Sequence, residues 1–238
     1  MTPAKDHRLF LLAAAVLTVV GWQFEYGRYA LYPLTLLATY AHEMGHGLTA
    51  LIMGADFERL LMYPDGSGLA YWKGDLGRIA RGLVAAGGLI GPSVAGVIVL
   101  ALSRRVERAR WVLYGLGTIM LMTVLFFARG WFAPLFLGLV AVGVLAVARA
   151  FPERGAPFLL QLIGVQLCLA VFRDVGYMFS EGGIIDGVAQ RSDSAAIAEA
   201  LLLPYWFWGG LTAVVSFGLL ALGLLVALRR PGTTRVPA

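Results

Sequence analysis

Residues 40–48 read Tyr-Ala-His-Glu-Met-Gly-His-Gly-Leu and lie inside an apolar stretch that runs from Tyr29 to Met53. At 3.6 residues per turn, a helix sets the two histidines of this H-E-x-x-H pattern about 40° apart around its axis, so both imidazoles can bind one metal ion. Ionisable side chains are costly inside a membrane span. Three of them within five residues favour a functional site over a polar network that only holds helices together. The stretch therefore predicts a membrane helix that carries a metal site.

The composition of the whole chain is typical of a membrane protein. Of its 238 residues, 59% are hydrophobic and only 14% are charged, and the mean hydropathy is +0.78; a soluble domain carries about a quarter charged residues. The 19 lysines and arginines outnumber the 14 acidic residues. They lie singly or in short groups beside apolar segments, which indicates contact with lipid headgroups and not with nucleic acid. The single cysteine, Cys168, excludes an internal disulfide.

We predict an all-α fold, a polytopic membrane helix bundle of about seven spans that forms one domain over residues 1–238. A span needs about 20 apolar residues. The first candidate is short, and only Arg129 and Gly130 separate the fourth from the fifth, so six or eight spans are alternatives. The candidate spans are Leu9–Trp22, Tyr29–Met53, Ile79–Leu102, Trp111–Ala128, Trp131–Ala148, Phe158–Phe179 and Pro204–Leu228.

Two segments between the spans have patterns of their own. Phe57–Met62 and Leu69–Trp72 flank a Pro-Asp-Gly turn signal, which predicts a short β-hairpin that lies against the membrane surface. Glu181–Gln190 contains three glycines and is expected to be a loop. Asp193–Leu203 then predicts a short helix with Ser192 as its N-cap.

The metal site needs a third ligand besides His42 and His46. Zinc suits two histidines and an oxygen ligand with one open position for water, and Glu43 lies where it can take a proton from that water. The only other histidine, His7, precedes the first span, so we expect a carboxylate. With seven spans, the second and sixth run in the same direction, and this brings Asp174, near the end of the sixth, to a depth similar to that of His46. Asp174 is therefore the predicted third ligand.

Other assignments of the third ligand stay open. Asp174 follows Arg173 directly, and an ion pair between these neighbours is the competing role for its carboxylate. Asp186 and Asp193, in the segment that follows on the same side, are the alternative ligands.

The motif resembles the site-2 protease family of intramembrane zinc metalloproteases, especially its compact bacterial members. The resemblance rests on the A-H-E-x-G-H-G pattern of residues 41–47 and on Gly87–Gly96, which is similar to the glycine-rich G-G-x-x-G-P stretch of those members. A hairpin after the H-E-x-x-H helix belongs to the same pattern. The N-x-x-P and L-D-G sequences that supply the aspartate in many members are not found in this chain.

The resemblance implies particular roles for these residues. His42, His46 and Asp174 would bind Zn²⁺, and Glu43 would activate water. The family also places its site toward the cytoplasm, which would put the N-terminus and the hairpin inside; the distribution of positive charge alone does not decide the orientation. The expected location is the bacterial inner membrane.

The expected function is hydrolysis of a peptide bond in or near a membrane-spanning segment of a substrate protein. The expected cofactor is Zn²⁺ and the expected partners are a membrane protein substrate and the lipid bilayer. One alternative is a non-catalytic zinc-binding membrane protein of the same fold. Another is a transporter that uses the same polar residues for protons or metal ions, but the chain lacks the internal repeats common in transporters.

Overall fold

The computed structural model describes residues 3–104 and 106–228, without the side chains of residues 3–8, 106 and 107. Within these ranges the chain forms helices joined by short connections and two small antiparallel hairpins. The helices are α1 (Pro3–Gln23), α2 (Glu25–Ile52), α3 (Arg78–Ser103), α4 (Val106–Phe126), α5 (Phe132–Ala150), α6 (Gly155–Met178), α7 (Asp193–Leu201) and α8 (Tyr205–Leu228). The strands are β1 (Asp56–Met62), β2 (Gly68–Lys73), β3 (Gly182–Ile185) and β4 (Val188–Arg191).

The predicted helix bundle is confirmed, and each of the seven candidate spans coincides with a helix. Five helices in the described part of the chain are long and apolar enough to cross a membrane: α3, α4, α5, α6 and α8. The apolar part of α1, Leu9–Gln23, is shorter, and α2, which carries the H-E-x-x-H motif, is not among the five. The span count therefore matches the prediction approximately.

Helix α3 packs between α2 and α6 and runs antiparallel to both. Gly91 of α3 faces Ala41 of α2, and Gly96 faces Cys168 of α6. Because α3 opposes both, α2 and α6 run in the same direction, as expected. The glycines of α3 let its backbone approach both neighbours, since a side chain at Gly96 would meet the Cys168 sulfur at 2.6 Å.

The β1–β2 hairpin has the predicted strands and packs against the helices. Its turn lies beside the middle of α2, where Tyr32 donates a hydrogen bond to the Pro64 carbonyl and Thr39 donates one to Gly66 O at 2.8 Å. The burial of apolar side chains explains this placement: Phe57, for example, stacks on Phe127 with ring centroids 4.5 Å apart. One face of the hairpin is thus packed against the helix bundle, while residues such as Glu58 and Asp65 stay exposed.

The segment expected to be a loop after α6 is the second hairpin, β3–β4. Its strands pair from Gly182 with Arg191 to Ile185 with Val188. Asp186 and Gly187 form the turn with φ of 51° and 75°, which an Asp-Gly pair adopts readily in a two-residue hairpin.

Helix α7 follows the second hairpin and begins where the sequence predicts. The Ser192 hydroxyl caps it by accepting the Ala195 N–H at 3.2 Å. The helix ends at Leu201, two residues earlier than expected, because Leu202 adopts the left-handed conformation with φ of 75°.

Candidate metal centre

The two histidines of α2 lie side by side one helical turn apart. Their Nε2 atoms are 3.1 Å apart and their ring centroids are 4.8 Å apart in an edge-to-face arrangement. This is the convergence of imidazoles that the sequence spacing predicts, and it leaves two nitrogen donors aimed at one point.

A carboxylate from α7 completes the group. Oδ2 of Asp193 lies 2.9 Å from Nε2 of His42, and Oδ1 lies 3.2 Å from Nε2 of His46. One ligand atom from each of the three residues lies within 4.8 Å of the others. Asp193 is the first residue of α7, so the start of this short helix is directed at the middle of α2.

Serines on both sides of Asp193 fix it against the end of α6. Ser194 donates a hydrogen bond to the Met178 carbonyl at 2.6 Å, and the Ser192 N–H donates to Glu181 O at 3.0 Å. The Ser192 hydroxyl also donates to the Ser180 carbonyl. Because these bonds tie the first turn of α7 to the end of α6, the backbone of Asp193 is held beside the two histidines.

The electrostatic environment keeps Asp193 ionised. Burial alone raises the pKa of its carboxyl, but the charge of His46 and hydrogen bonds from both imidazoles outweigh burial and hold this pKa below its usual range. An ionised carboxylate is the form that binds a metal cation.

A second hydrogen bond sets the protonation of His46. Its Nδ1 lies 2.9 Å from the carbonyl oxygen of Val84 in α3. Because a carbonyl only accepts, Nδ1 carries a proton, which leaves Nε2 as the nitrogen that can bind a metal ion once it has lost its own proton. Gly88, one turn further along α3, packs directly against the same imidazole, where a side chain would overlap the ring.

Glu43 lies beside the three ligands and is almost fully buried. The backbone of Ala70 in β2 is a hydrogen-bond partner of its carboxylate. Gly68 covers the side chain so closely that a β-carbon there would lie 2.7 Å from Oε1. Helix α2 and strand β2 therefore enclose the carboxylate and fix it next to His42 and His46.

The donor set fits zinc. Two imidazole nitrogens and one carboxylate oxygen are typical ligands of a catalytic zinc site, which keeps a fourth position open. Tetrahedral bonds of 2.0–2.1 Å set neighbouring ligand atoms roughly 3.3 Å apart. The distances of 2.9, 3.1 and 3.2 Å between the donor atoms of His42, His46 and Asp193 are close to this value.

Of the three carboxylates considered from the sequence, Asp193 is the one that the structure brings to the histidines. Asp174 accepts a hydrogen bond from Nε of Arg173 at 2.9 Å and borders a cavity beside His42 without joining the ligand group. Asp186 lies at the turn of the second hairpin. The side chain of His7 lies outside the described residues.

Two cavities meet at Glu43, one on each side of the metal-binding group. The first, of about 320 Å³, is bordered by β2, the start of α3 and α7. The second, of about 280 Å³, is bordered by the turn of the first hairpin and the end of α6. Both cavities share four further residues, which are Tyr177, Ile185, Gln190 and Arg191. Together they form a groove that we call the site groove.

The two hairpins meet beside this groove. The Asp186 carboxylate, at the turn of β3–β4, lies near the Tyr63 hydroxyl in the turn of the first hairpin. Burial and the nearby Asp186 carboxylate both raise the pKa of Tyr63. The second hairpin therefore lines both cavities of the site groove and approaches the first hairpin at its turn.

Two residues of the site were missed as first choices from the sequence. Asp193 is preceded by a capping serine, but a sequence does not show how far a helix start reaches toward another helix. Tyr177, whose hydroxyl contacts Asp193, has no motif of its own. The Asp-Gly pair at 186–187 was the signal for the second hairpin.

Comparison with known proteins gives one match. A family model described as Peptidase M50B-like matches residues 10–223. No curated protein and no solved structure matches the chain. Together with the five apolar helices in the described part of the chain, the match makes this an integral membrane protein.

Proposed function

The chain belongs to the Peptidase M50B-like family, a site-2 protease family, and from its metal centre we propose that it is an intramembrane zinc metalloprotease. The observation that carries this proposal is the convergence of His42, His46 and Asp193 beside the buried carboxylate of Glu43. The proposed reaction is hydrolysis of a peptide bond in or near a membrane-spanning segment of a substrate protein.

In this proposal, His42, His46 and Asp193 hold the zinc ion. Zinc supplies Lewis acidity, which acidifies water and polarises a carbonyl group. Glu43 accepts the proton of the attacking water and passes it to the leaving amine. Its enclosure between α2 and β2 supports this role, because it holds the carboxylate beside the proposed ligands and within reach of a metal-bound water.

The free edge of β2 supports binding of an extended substrate segment. The Leu60 N–H in β1 donates to the Phe127 carbonyl, and the Leu60 carbonyl accepts from the Arg129 N–H. Leu60 and Ala70 are therefore a pair that exchanges no hydrogen bonds. The backbone groups of Ala70 therefore point away from β1, toward Glu43. A substrate strand could pair with this edge and occupy the cavity on each side of Glu43.

Strand pairing requires the substrate helix to unwind locally, because the carbonyls of an intact helix are hydrogen-bonded and shielded. We further propose that the protein acts as one membrane domain in the bacterial inner membrane, with its site toward the cytoplasm. The substrate is then a membrane protein in the same bilayer.

The test compares wild-type protein with Glu43→Gln. Both are reconstituted in liposomes with a panel of single-span membrane segments, and new N-termini are sequenced. Removal of a general base costs about 10²–10⁴-fold in rate, so Glu43→Gln should bind zinc normally while cleavage falls by at least about 100-fold. Glu58→Gln, on the exposed face of β1, is the matched control and should cleave normally.

The alternatives give different results in the same preparation. Zinc binding without any cleavage that depends on Glu43 would contradict the protease proposal and favour a non-catalytic binding protein. Metal flux into the liposomes that persists without cleavage would favour a transporter.

A further inference from the structure

The hydroxyl of Tyr177, in the last turn of α6, contacts Asp193 at two points. It accepts a hydrogen bond from the Asp193 backbone N–H at 3.2 Å and lies 3.3 Å from Oδ2 of the same residue. Because a backbone N–H only donates, the hydroxyl keeps its own proton available for Oδ2. This is the carboxylate oxygen that also faces Nε2 of His42.

The ring of Tyr177 also contacts one of the histidines. Its centroid lies 6.2 Å from that of His42 with the planes at 70°, an edge-to-face arrangement. The side chain is 37% exposed, because the ring borders both cavities while the hydroxyl reaches Asp193. Tyr177 therefore contacts two of the three proposed ligands from the wall of the site groove.

We infer that Tyr177 is a positioning residue of the metal centre, whose hydroxyl orients the Asp193 carboxylate so that Oδ2 faces His42 and Oδ1 faces His46. The physical reason is that the Asp193 side chain has two rotatable bonds between its backbone and its carboxylate. Ser192 and Ser194 fix the backbone of Asp193, but its carboxylate is free to rotate about two bonds unless an outside group holds it. Among the groups described around it, the Tyr177 hydroxyl is the donor that is not itself a ligand.

This inference rests on the proposed zinc site, and it extends that site to a residue outside the ligand set. Groups that orient a metal ligand typically change metal affinity or activity by about 10–100-fold when removed. Loss of the hydroxyl should therefore weaken metal binding without unfolding the protein, since the ring of phenylalanine keeps the contact with His42.

The test uses Tyr177→Phe, with Tyr26→Phe on the exposed start of α2 as the matched control. Each purified full-length protein is stripped of metal and titrated with Co²⁺ alone, first directly and then against a competing chelator. The absorption bands of bound Co²⁺ report the arrangement of its ligands. Thermal unfolding of the metal-free proteins is measured in parallel.

We expect Tyr177→Phe to bind Co²⁺ about 10–100-fold more weakly, with a changed absorption spectrum and an unchanged unfolding temperature of the metal-free protein. The Tyr26→Phe control should match wild type in all three measurements. If wild type binds Co²⁺ and Tyr177→Phe gives the same affinity and spectrum, the positioning role is contradicted while the proposed zinc site stands.

Two other results would also overturn the inference. A metal-free Tyr177→Phe protein that is destabilised in proportion to its loss of affinity would mean that the hydroxyl is only structural. Failure of wild type to bind Co²⁺ at all would remove the proposed zinc site and the role of Tyr177 with it.

Discussion

At the scale of single residues, the site depends on glycines, which have no side chain, as much as on the residues that carry its chemistry. Gly45 of α2 packs directly on the backbone of Gly87 in α3, and Gly88 packs on the imidazole of His46. This close packing of α3 against α2 also lets the Val84 carbonyl reach Nδ1 of His46. The glycine-rich stretch of α3 therefore belongs to the metal site, because it makes room for a ligand and orients it.

Gly88→Ala should disrupt the metal site. The new methyl group would overlap the His46 ring, so the imidazole must turn away or the helices must separate, at a cost of about 1–3 kcal/mol. We expect a large loss of bound zinc and of cleavage, measured by metal analysis and by the liposome assay.

The matched control is Gly138→Ala in α5, where a β-carbon would meet no described atom within 4 Å. This variant should keep full zinc content, and its stability should be equal or higher, since alanine is the better helix former by about 0.5–1 kcal/mol. Equal zinc content in the Gly88 and Gly138 variants would contradict the assigned role of Gly88.

The sequence predicts part of the proposed site and not the rest, for a physical reason. His42, Glu43 and His46 lie within one helical turn, so helix geometry alone brings them together. Asp193 comes from a separate helix, and its place depends on how the chain turns back after α6. Because the second and sixth spans run in the same direction, the sequence indicates at which end of the bundle the third ligand lies. It does not distinguish Asp174 from Asp193, which the second hairpin brings back to the same end.

At the scale of secondary-structure elements, the two hairpins define the groove. The first hairpin presents the free edge of β2 to Glu43. The second hairpin lines the groove, and its turn residue Asp186 lies near Tyr63 of the first. Strand β3 and strand β4 pair with each other, and Ile184 and Val188 are exposed. An extended substrate would have to pass between the hairpins, so the second must move away from the first.

Cross-linking the two hairpins should block cleavage. Cysteines at Tyr63 and Asp186, joined by a short bifunctional thiol reagent, would hold the groove closed to a substrate strand. We expect cleavage in liposomes to fall to background after cross-linking while bound zinc is retained. The native Cys168 is fully buried and does not need to be replaced.

The controls are the two single-cysteine variants treated with the same reagent, which should keep their activity. A cross-linked double variant that cleaves as fast as the untreated protein would show that substrate does not pass between the hairpins. The first hairpin was predictable from its turn residues, but its packing against the helices depends on contacts such as Phe57 with Phe127 that a local pattern does not contain.

At the scale of the whole molecule, the bundle brings three separate parts of the chain to one point. Because α2 and α6 run in the same direction with α3 antiparallel between them, the motif of α2 lies near the end of α6, and α7 starts there. Apolar spans are predictable because the bilayer imposes their length. Which helices pack against one another depends on how their surfaces fit together. In the sequence, the glycines of α3 are the one sign of such close packing.

The most direct test of this account is the zinc content of Asp193→Asn compared with that of Asp174→Asn, both purified in detergent beside wild type. We predict about one zinc ion per chain in wild type and in Asp174→Asn, and a nearly complete loss in Asp193→Asn, because an amide is a much poorer zinc ligand than a carboxylate. Loss of zinc in Asp174→Asn with retention in Asp193→Asn would contradict the metal centre described here.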